Sequence, residues 1–221
     1  LLGATFLYLF LKHHRISTSA AIFGSLTWVF SGFFVAWLEW NTAVHVAVWS
    51  PLILLLLDTS IEDKFTSKKI RLLNFCLLTF SLSAQFFAGY PQPWLYLSFL
   101  QLAYLLFKFL QSKPFKLKTR TKLNLMAIAV SYLVFFIIIF PQLKTTLDFS
   151  QLSNRVVDQG NVLNRPDWFI PHQNLIQLII PDFFGNPATL NYWGVFNYTE
   201  FISFIGIIPA IFVLFILTTS K

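Results

Sequence analysis

The stretch LNLMAIAVSYLVFFIIIFP, residues 123–141, contains no charged side chain. Its length matches the ~20 predominantly apolar residues with which an α-helix crosses the hydrocarbon core of a bilayer. Other apolar runs, separated by short charged clusters, repeat this pattern along the chain. The sequence therefore predicts an all-α fold, a polytopic transmembrane helix bundle of about seven spans. We place these spans at residues 1–12 (truncated), 20–38, 43–57, 72–89, 93–110, 123–141 and 201–217.

The overall composition supports the same fold class. Of the 221 residues, 56% are hydrophobic, 19% are aromatic and only 11% are charged, whereas soluble domains carry roughly 25% charged residues. A soluble fold would leave this apolar surface in contact with water, so the composition excludes a soluble globular domain. The chain opens with Leu1 inside one apolar run and stops at Lys221 directly after another, which indicates a piece of a longer protein.

The distribution of basic residues predicts the orientation of the bundle. Most of the 16 Lys and Arg residues fall in loops on one side of the predicted spans, and the other side holds only Lys144, Arg155 and Arg165. Cytoplasmic loops are enriched in Lys and Arg, so the basic side is predicted to be cytoplasmic. Contacts with lipid headgroups explain the net charge of +7 without a nucleic-acid partner. The chain is thus predicted to be a multi-pass protein of the cytoplasmic (cell) membrane.

One long segment is too polar to cross a membrane. We divide the chain into a transmembrane bundle over residues 1–141, an extracytoplasmic loop over residues 142–200 and a further span within residues 201–221. In the loop, the stretch PHQNLIQLII, residues 171–180, starts with a proline and places polar and aliphatic residues on different sides of a helix. This pattern predicts a short helix lying in the membrane interface. Loops of this length usually carry function.

Polar and aromatic side chains converge on the predicted outer face from several parts of the chain. Carboxylates can act as bases toward a hydroxyl group, amides can hydrogen-bond hydroxyl groups, and rings can stack on sugars. The weak candidates for catalysis are Glu39, Asp182 and Glu200. The candidates for substrate binding are His45, Tyr90, Gln92, Tyr192 and Trp193. The competing interpretations are solvated interfacial carboxylates, a turn cap at Asp182 and a hydrogen-bonded structural histidine.

The sequence gives no pattern for a metal site or for a polar site on the basic side. It has no phosphate-binding glycine loop, no paired cysteines and no His-Glu-x-x-His, so we predict no metal bound by protein ligands alone. The basic side shows no set comparable with the outer one. Its Lys and Arg residues are interpreted as topology signals and headgroup contacts.

Several short motifs occur in a fixed order along the chain: Ser31-Gly32-Phe33, His45 through Trp49-Ser50-Pro51-Leu52, Gly89-Tyr90-Pro91-Gln92, Pro181-Asp182-Phe183-Phe184-Gly185-Asn186, Asn191-Tyr192-Trp193-Gly194 and Tyr198-Thr199-Glu200. Together they resemble the bacterial YfhO membrane-protein family, from the start of the chain to about Pro209. That family is similar to the GT-C class of glycosyltransferases. These multi-span enzymes transfer a sugar from a polyprenyl-phosphate carrier to an acceptor outside the cytoplasmic membrane.

The resemblance implies an enzyme whose partners are a polyprenyl-phosphate-linked sugar, membrane lipids, and an envelope glycopolymer or glycolipid acceptor. In GT-C enzymes the best-established catalytic carboxylate lies in the first extracytoplasmic loop, and this chain is expected to begin after that loop. The candidates implied as supporting residues are Glu39, His45, Gln92, Asp182 and Glu200. The resemblance names no certain cofactor and is compatible with a divalent metal.

Two other functions stay open. A membrane transporter or lipid flippase usually places polar groups and broken helices near the bilayer midplane, often in inverted repeats. The sequence shows no internal repeat, and its midspan polar residues are mild ones such as Ser25, Ser81, Ser83 and Ser131. A non-catalytic envelope-assembly subunit would keep its activity when the three candidate carboxylates are replaced together.

Overall fold

The structure, a computed structural model, describes residues 1–62, 65, 67–111, 119–152, 170–195 and 198–219. These residues form helices and turns, with no β-strand among them, so the predicted all-α class is confirmed. The chain divides into two compact units. Unit 1 comprises Leu1–Ile22 and Asn41–Thr146, and unit 2 comprises Phe23–Trp40 and Leu147–Lys221.

Both units contain helices. In unit 1 they are α1 (Leu2–His13), α4 (Thr42–Ala47), α5 (Ser50–Ile61), α6 (Lys68–Phe87), α7 (Pro91–Gln111) and most of α8 (Thr119–Gln151). Helix α2 (Thr18–Val29) begins in unit 1 and ends in unit 2. Unit 2 further contains α3 (Gly32–Ala36), the 3₁₀ helices His172–Leu178 and Pro187–Thr189, α9 (Tyr198–Phe201) and α10 (Ile207–Thr219).

Four helical segments within the described residues are long and apolar enough to cross a membrane, as expected of a membrane protein. They are Thr42–Ile61, Lys68–Phe87, Pro91–Gln111 and Lys122–Gln151. Two shorter apolar helices are Thr18–Val29 and Ile207–Thr219. The structure thus contains four of the seven expected spans as full-length apolar helices, and the total of seven stays a prediction.

The helical segment that contains the third predicted span, residues 43–57, extends beyond that span. Helices α4 and α5 follow one another almost directly, so the helical segment reaches Ile61. Pro51 lies in the first turn of α5, where a proline leaves no helical hydrogen bond unmade. The segment continues past Leu57 because Asp58 and Ser60 are buried and hydrogen-bonded inside unit 1, which no hydropathy pattern reveals.

Helix α5 lies at the centre of the core of unit 1. Its aliphatic side chains pack against α6 and α8 in a cluster formed by Ile53, Leu56, Leu57, Ile61, Leu78, Leu82, Phe86, Ile128, Phe135 and Ile139. By contrast, the large apolar side chains of α7 are mostly exposed on the surface of the unit. This is the arrangement expected when lipid, rather than water, covers the outer faces of a bundle.

The connection between α6 and α7 is short, because only residues 88–90 separate the two helices. Helix α6 begins after Ser67, whose hydroxyl accepts a hydrogen bond from the Ile70 N–H at 3.3 Å, and it ends at Phe87. Gly89 follows with φ +88°, a left-handed conformation that glycine adopts without a steric cost. Pro91 then starts α7. The two helices therefore form a short hairpin.

The two predicted spans that enter unit 2, residues 20–38 and 201–217, are interrupted in the structure. The first ends as α2 at Val29 and resumes as α3 at Gly32. The second starts only at Ile207, because residues 202–206 are not helical and Gly206 has φ +99°. The Gly32 N–H donates a 2.6 Å hydrogen bond to the Phe204 carbonyl oxygen. This backbone pairing replaces helical hydrogen bonds on both segments, and composition alone does not indicate it.

The predicted loop of residues 142–200 also begins differently. Helix α8 continues through Pro141 as far as Gln151, so the first residues of the predicted loop are helical. Residues 153–169, with Arg155 and Arg165, lie outside the described residues. The predicted helix at 171–180 is present as the shorter 3₁₀ helix His172–Leu178, and its place in the membrane interface stays a prediction.

Candidate functional site

Unit 2 contains a cavity of about 460 Å³ that two of the three candidate carboxylates line. Glu39 reaches it from the segment after α3, and Asp182 reaches it from the turn after the first 3₁₀ helix. The other polar lining residues are Asn186, Tyr198 and Thr199. Ligand pockets typically measure about 300 to 1,000 Å³ and combine apolar walls with a few convergent polar groups. The cavity has the size and the mixed lining of such a pocket.

The carboxylate of Asp182 is oriented through one of its two oxygens. Its Oδ1 accepts hydrogen bonds from the Tyr198 hydroxyl at 3.0 Å and from Asn186 Nδ2 at 3.2 Å. Both donors share one acceptor, which leaves the lone pairs of Oδ2 for a further donor. A carboxylate oriented in this way can accept a hydrogen bond from a ligand hydroxyl without losing its own supports.

A glycine turn holds Asp182 and Asn186 in place. Gly185 has φ +79°, and its N–H donates to the Asp182 carbonyl oxygen at 2.9 Å. The Asn186 N–H donates to Asn191 Oδ1 at 2.9 Å, and Asn186 Oδ1 accepts from the Ala188 N–H at 2.9 Å. A side chain at position 185 would collide with the backbone oxygen of Asn191. Close backbone contact therefore explains why this turn contains glycine.

The phenol of Tyr198 is a hydrogen-bond donor over the whole physiological pH range. Burial, the hydrogen bond to Asp182 and the negative charge of that carboxylate raise the pKa of Tyr198 to about 12. Each cause disfavours the phenolate. Burial likewise raises the pKa of Tyr192. Tyr198 therefore stays protonated and keeps Asp182 oriented.

The remaining predicted residues of unit 2 do not line this cavity. Glu200 is exposed on α9. The ring of Tyr192 lies edge-on to that of Tyr198, with centroids 5.6 Å apart, and its hydroxyl donates to the Val195 carbonyl oxygen. The ring of Trp193 packs on that of Phe184, and the backbone N–H of Trp193 donates to the Phe184 carbonyl oxygen at 2.9 Å. Tyr192 and Trp193 thus support the turn around the cavity from behind.

The other three predicted binding residues belong to unit 1. His45 is exposed on α4 and Tyr90 is partly buried before α7. Gln92 is exposed, and its Nε2 donates to the Tyr96 hydroxyl one turn further along α7 at 3.1 Å. A role in substrate binding for these three side chains stays a prediction.

Unit 1 contains a second polar cluster, which the sequence analysis missed. Asp58 on α5 is fully buried, with 0% of its side chain exposed. Its Oδ2 accepts from the Tyr104 hydroxyl at 2.7 Å and lies 2.9 Å from His14 Nε2, while its Oδ1 lies 2.9 Å from Lys108 Nζ. Lys108 Nζ also lies 3.4 Å from Glu62 Oε1, and His13 Nε2 lies 3.3 Å from Glu62 Oε2. We call these six side chains the Asp58 cluster.

The expectation that the basic side lacks a polar set was therefore wrong. The residues of the Asp58 cluster lie at the ends of α1, α5 and α7 that join the Lys- and Arg-rich loops. Two spacings could have revealed it. Asp58-x-x-x-Glu62 and Tyr104-x-x-x-Lys108 each place two polar side chains on one helix face.

Uncharged polar side chains form a hydrogen-bond network further along the helices of unit 1. Gln101, in the middle of α7, donates from Nε2 to Gln85 Oε1 at 2.9 Å. Gln85 Nε2 in turn donates to Ser50 Oγ at 2.9 Å and to the Val46 carbonyl oxygen at 3.1 Å. Gln85 and Gln101 are almost fully buried. These amides connect α4, α5, α6 and α7 by hydrogen bonds inside the unit.

Comparisons with known proteins identify no relative. No protein-family model matches the chain, and neither the curated proteins nor the solved structures include a significant match. The resemblance to the YfhO family therefore stays a prediction carried by the motifs themselves.

Proposed function

We propose that the chain is part of an integral protein of the cytoplasmic membrane that transfers a sugar from a polyprenyl-phosphate donor to a cell-envelope acceptor on the extracytoplasmic side. The observation that carries this proposal is the shared cavity of Glu39 and Asp182 in unit 2. The motifs that resemble the YfhO family include both the Asp182 turn and Tyr198. The proposal assigns the catalytic carboxylate expected for the GT-C class to no residue of this chain.

The cavity residues would bind the sugar acceptor. A sugar presents hydroxyl groups that donate hydrogen bonds, and Asp182 Oδ2 and the carboxylate of Glu39 are acceptors. The apolar walls include Phe30 and Phe204, against which a sugar ring can pack. Orientation of this kind lowers the barrier of a transfer reaction, because the acceptor oxygen is already positioned for attack.

In the transfer, the sugar exchanges its bond to the carrier phosphate for a bond to the acceptor. The acceptor oxygen forms a bond to the anomeric carbon of the donor sugar, the bond from that carbon to the phosphate oxygen breaks, and a base takes the acceptor proton. The leaving group is the polyprenyl phosphate. Asp182 and Glu39 act here as residues that position the acceptor.

The test uses the full-length protein in membranes with labelled polyprenyl-phosphate sugars and a panel of envelope glycopolymers and glycolipids. Asp182→Asn removes the charge but preserves the shape, and we expect transfer to fall by about 100-fold, as is typical when a substrate is misplaced. Glu39→Gln should lower transfer in the same direction. Glu200→Gln is the matched control, because Glu200 is exposed and does not line the cavity.

Two results would contradict the proposal. The first is absence of transfer for every donor and acceptor pair by protein that is shown to be folded. The second is full transfer activity in a triple alanine variant of Glu39, Asp182 and Glu200, which would instead favour a non-catalytic envelope-assembly subunit.

A transporter or lipid flippase is the second candidate function, and one observation favours it. Fully buried charged groups within membrane spans commonly mark transport pathways, and Asp58 is such a group. Against this, the cavity lined by Ser60, Asn74 and Asn124 in unit 1 has a volume of only about 10 Å³, room for about one water molecule. Uptake of labelled lipid or sugar by proteoliposomes without transfer to an acceptor would favour transport.

A further inference from the structure

The Asp58 cluster carries chemistry that sugar transfer in unit 2 does not use. It brings an imidazole and two carboxylates from two helices to one place, with ligand atoms of His13, Asp58 and Glu62 within 4.8 Å of one another. Asp58 lies in the last turn of α5, Glu62 directly follows that helix four residues further on, and His13 ends α1. Imidazole nitrogen and carboxylate oxygen are the ligands that first-row divalent metals bind in proteins.

One distance within the cluster is close to that between two ligands of a metal ion. A tetrahedral ion with bonds of about 2.0 to 2.2 Å has ligand atoms about 3.4 Å apart. His13 Nε2 and Glu62 Oε2 are 3.3 Å apart. Asp58 Oδ1 and Glu62 Oε1 both contact Lys108 Nζ, at 2.9 Å and 3.4 Å, while Asp58 Oδ2 is held by Tyr104 and His14. These two donors orient the carboxylate from behind, as the neighbours of metal ligands do.

The charges of the cluster also favour a divalent cation. Asp58 and Glu62 contribute two negative charges, and the ammonium of Lys108 contributes one positive charge. With both histidines neutral, the carboxylates exceed the ammonium by one negative charge. A divalent ion on the two carboxylates would bring their sum to zero.

We propose that His13, Asp58 and Glu62 form a binding site for a divalent transition-metal ion of the Zn²⁺ type, and that Lys108 competes with this ion for the same two carboxylates. In the structure the Lys108 ammonium contacts Asp58 Oδ1 and Glu62 Oε1. Metal binding displaces Lys108 toward solvent, where its long side chain can place the charge in water. His14, 35% exposed, and Glu62, 32% exposed, line the side from which the ion enters.

The competition gives the proposal a distinctive test. Lys108→Met removes the competing cation but keeps most of the unbranched side chain, so it should tighten metal binding. A purely structural ion pair between Lys108 and Asp58 predicts the opposite behaviour, namely loss of stability with no gain in metal affinity. The variant therefore separates the two interpretations.

The experiment measures binding of Zn²⁺, and of Co²⁺ by its visible absorption, to the full chain purified in detergent. We expect one equivalent to bind, with a Co²⁺ spectrum of nitrogen and oxygen coordination. His13→Ala and Glu62→Gln should weaken binding by at least about 10- to 100-fold, the range seen even for residues that only support ligands. Lys108→Met should tighten it several-fold. His45→Ala is the matched control, because His45 is an exposed histidine in the same unit.

The outcomes decide the proposal without depending on Asp58, whose replacement endangers folding. Absence of stoichiometric binding in both the unmodified chain and Lys108→Met would overturn it. Equal affinity in His13→Ala and His45→Ala would also overturn it, since the ion would then lie elsewhere. Circular dichroism of each variant shows that a loss of binding does not come from unfolding.

Discussion

Two aspartates, Asp58 in unit 1 and Asp182 in unit 2, show how the same side chain serves different purposes. Asp58 is fully buried, and both of its oxygens have partners on α1 and α7. Asp182 is exposed to a cavity, and its two hydrogen bonds both go to Oδ1. A carboxylate with partners on every side holds helices together, whereas a carboxylate oriented through one oxygen can bind a ligand with the other.

The difference follows from the energetic cost of burial. A charge removed from water must be compensated by nearby charges and donors, so Asp58 is surrounded by Lys108, His14 and Tyr104. Asp182 keeps its contact with solvent and needs only enough partners to fix its direction. The following variants test this contrast, in order of decreasing expected effect.

Replacement of Asp58 should destabilise the chain most. Asp58→Leu leaves the ammonium of Lys108 without its main partner, which costs about 3 to 5 kcal/mol of unfolding free energy. The double variant Asp58→Leu with Lys108→Leu should recover much of that loss, because an apolar pair often replaces a buried ion pair at little cost. Unfolding of the purified protein in mixed micelles measures both. If Asp182→Ala destabilises the chain as much as Asp58→Leu, the contrast between the two aspartates fails.

Replacement of Gly185 should act on unit 2 alone. Gly185→Ala forces a side chain into a left-handed conformation and against the Asn191 backbone, which costs more than the roughly 1 to 2 kcal/mol of the conformation itself. Gly89→Ala is the matched control in unit 1, since its φ is also positive but the nearest heavy atom to the added Cβ is 3.9 Å away. We expect faster proteolysis of residues 181–195 in Gly185→Ala only. Equal proteolysis of both variants would mean that close backbone contact does not matter there.

Replacement of Gln101 should have an intermediate effect on unit 1. Gln101→Leu leaves the buried Gln85 oxygen without its donor, which costs about 1 to 3 kcal/mol. Gln92→Leu, on the exposed start of the same helix, should leave stability nearly unchanged. Thermal unfolding of both variants in the same detergent makes the comparison. Unchanged stability of Gln101→Leu would show that these amide hydrogen bonds do not hold the helices together.

The smallest effect concerns the ionisation of Tyr198. Its pKa is raised to about 12 from an ordinary value of about 10, so any stability it contributes is present below pH 10 and is lost as the pH rises through 12. Asp182→Asn removes the negative charge and should lower this pKa toward its ordinary value. Phenolate absorbance during a pH titration, with Tyr198→Phe to assign the signal, measures the shift. An unchanged titration in Asp182→Asn would contradict the hydrogen bond between these residues.

The sequence predicted the broad organisation of the chain well where a long apolar run decided it. Helices α6 and α7 and the proline between them follow directly from their composition. The predictions of spans at residues 20–38 and 201–217 differ from the structure at Ser31 and at residues 202–206, because backbone pairing between Gly32 and Phe204 competes with helix formation. Hydropathy measures the preference of side chains for lipid and carries no information about such a pairing.

The candidate sites show the same limit. The sequence indicated Glu39 and Asp182 as candidate site residues from their residue type. Only the tertiary structure places both of them at one cavity and leaves Glu200 outside it. The sequence pattern did not indicate Asp58 as a site residue, because a single carboxylate near a span end is normally solvated.

What the sequence determined by itself is the helical, apolar character of the chain, since the long uninterrupted apolar runs form helices wherever no distant contact competes. What the tertiary structure decided is the state of each polar group. Whether a carboxylate is compensated, as Asp58 is by Lys108, or open to a ligand, as Asp182 is, depends on side chains that approach from distant positions in the chain. Electrostatic energy falls with distance in space, and separation along the sequence does not enter it.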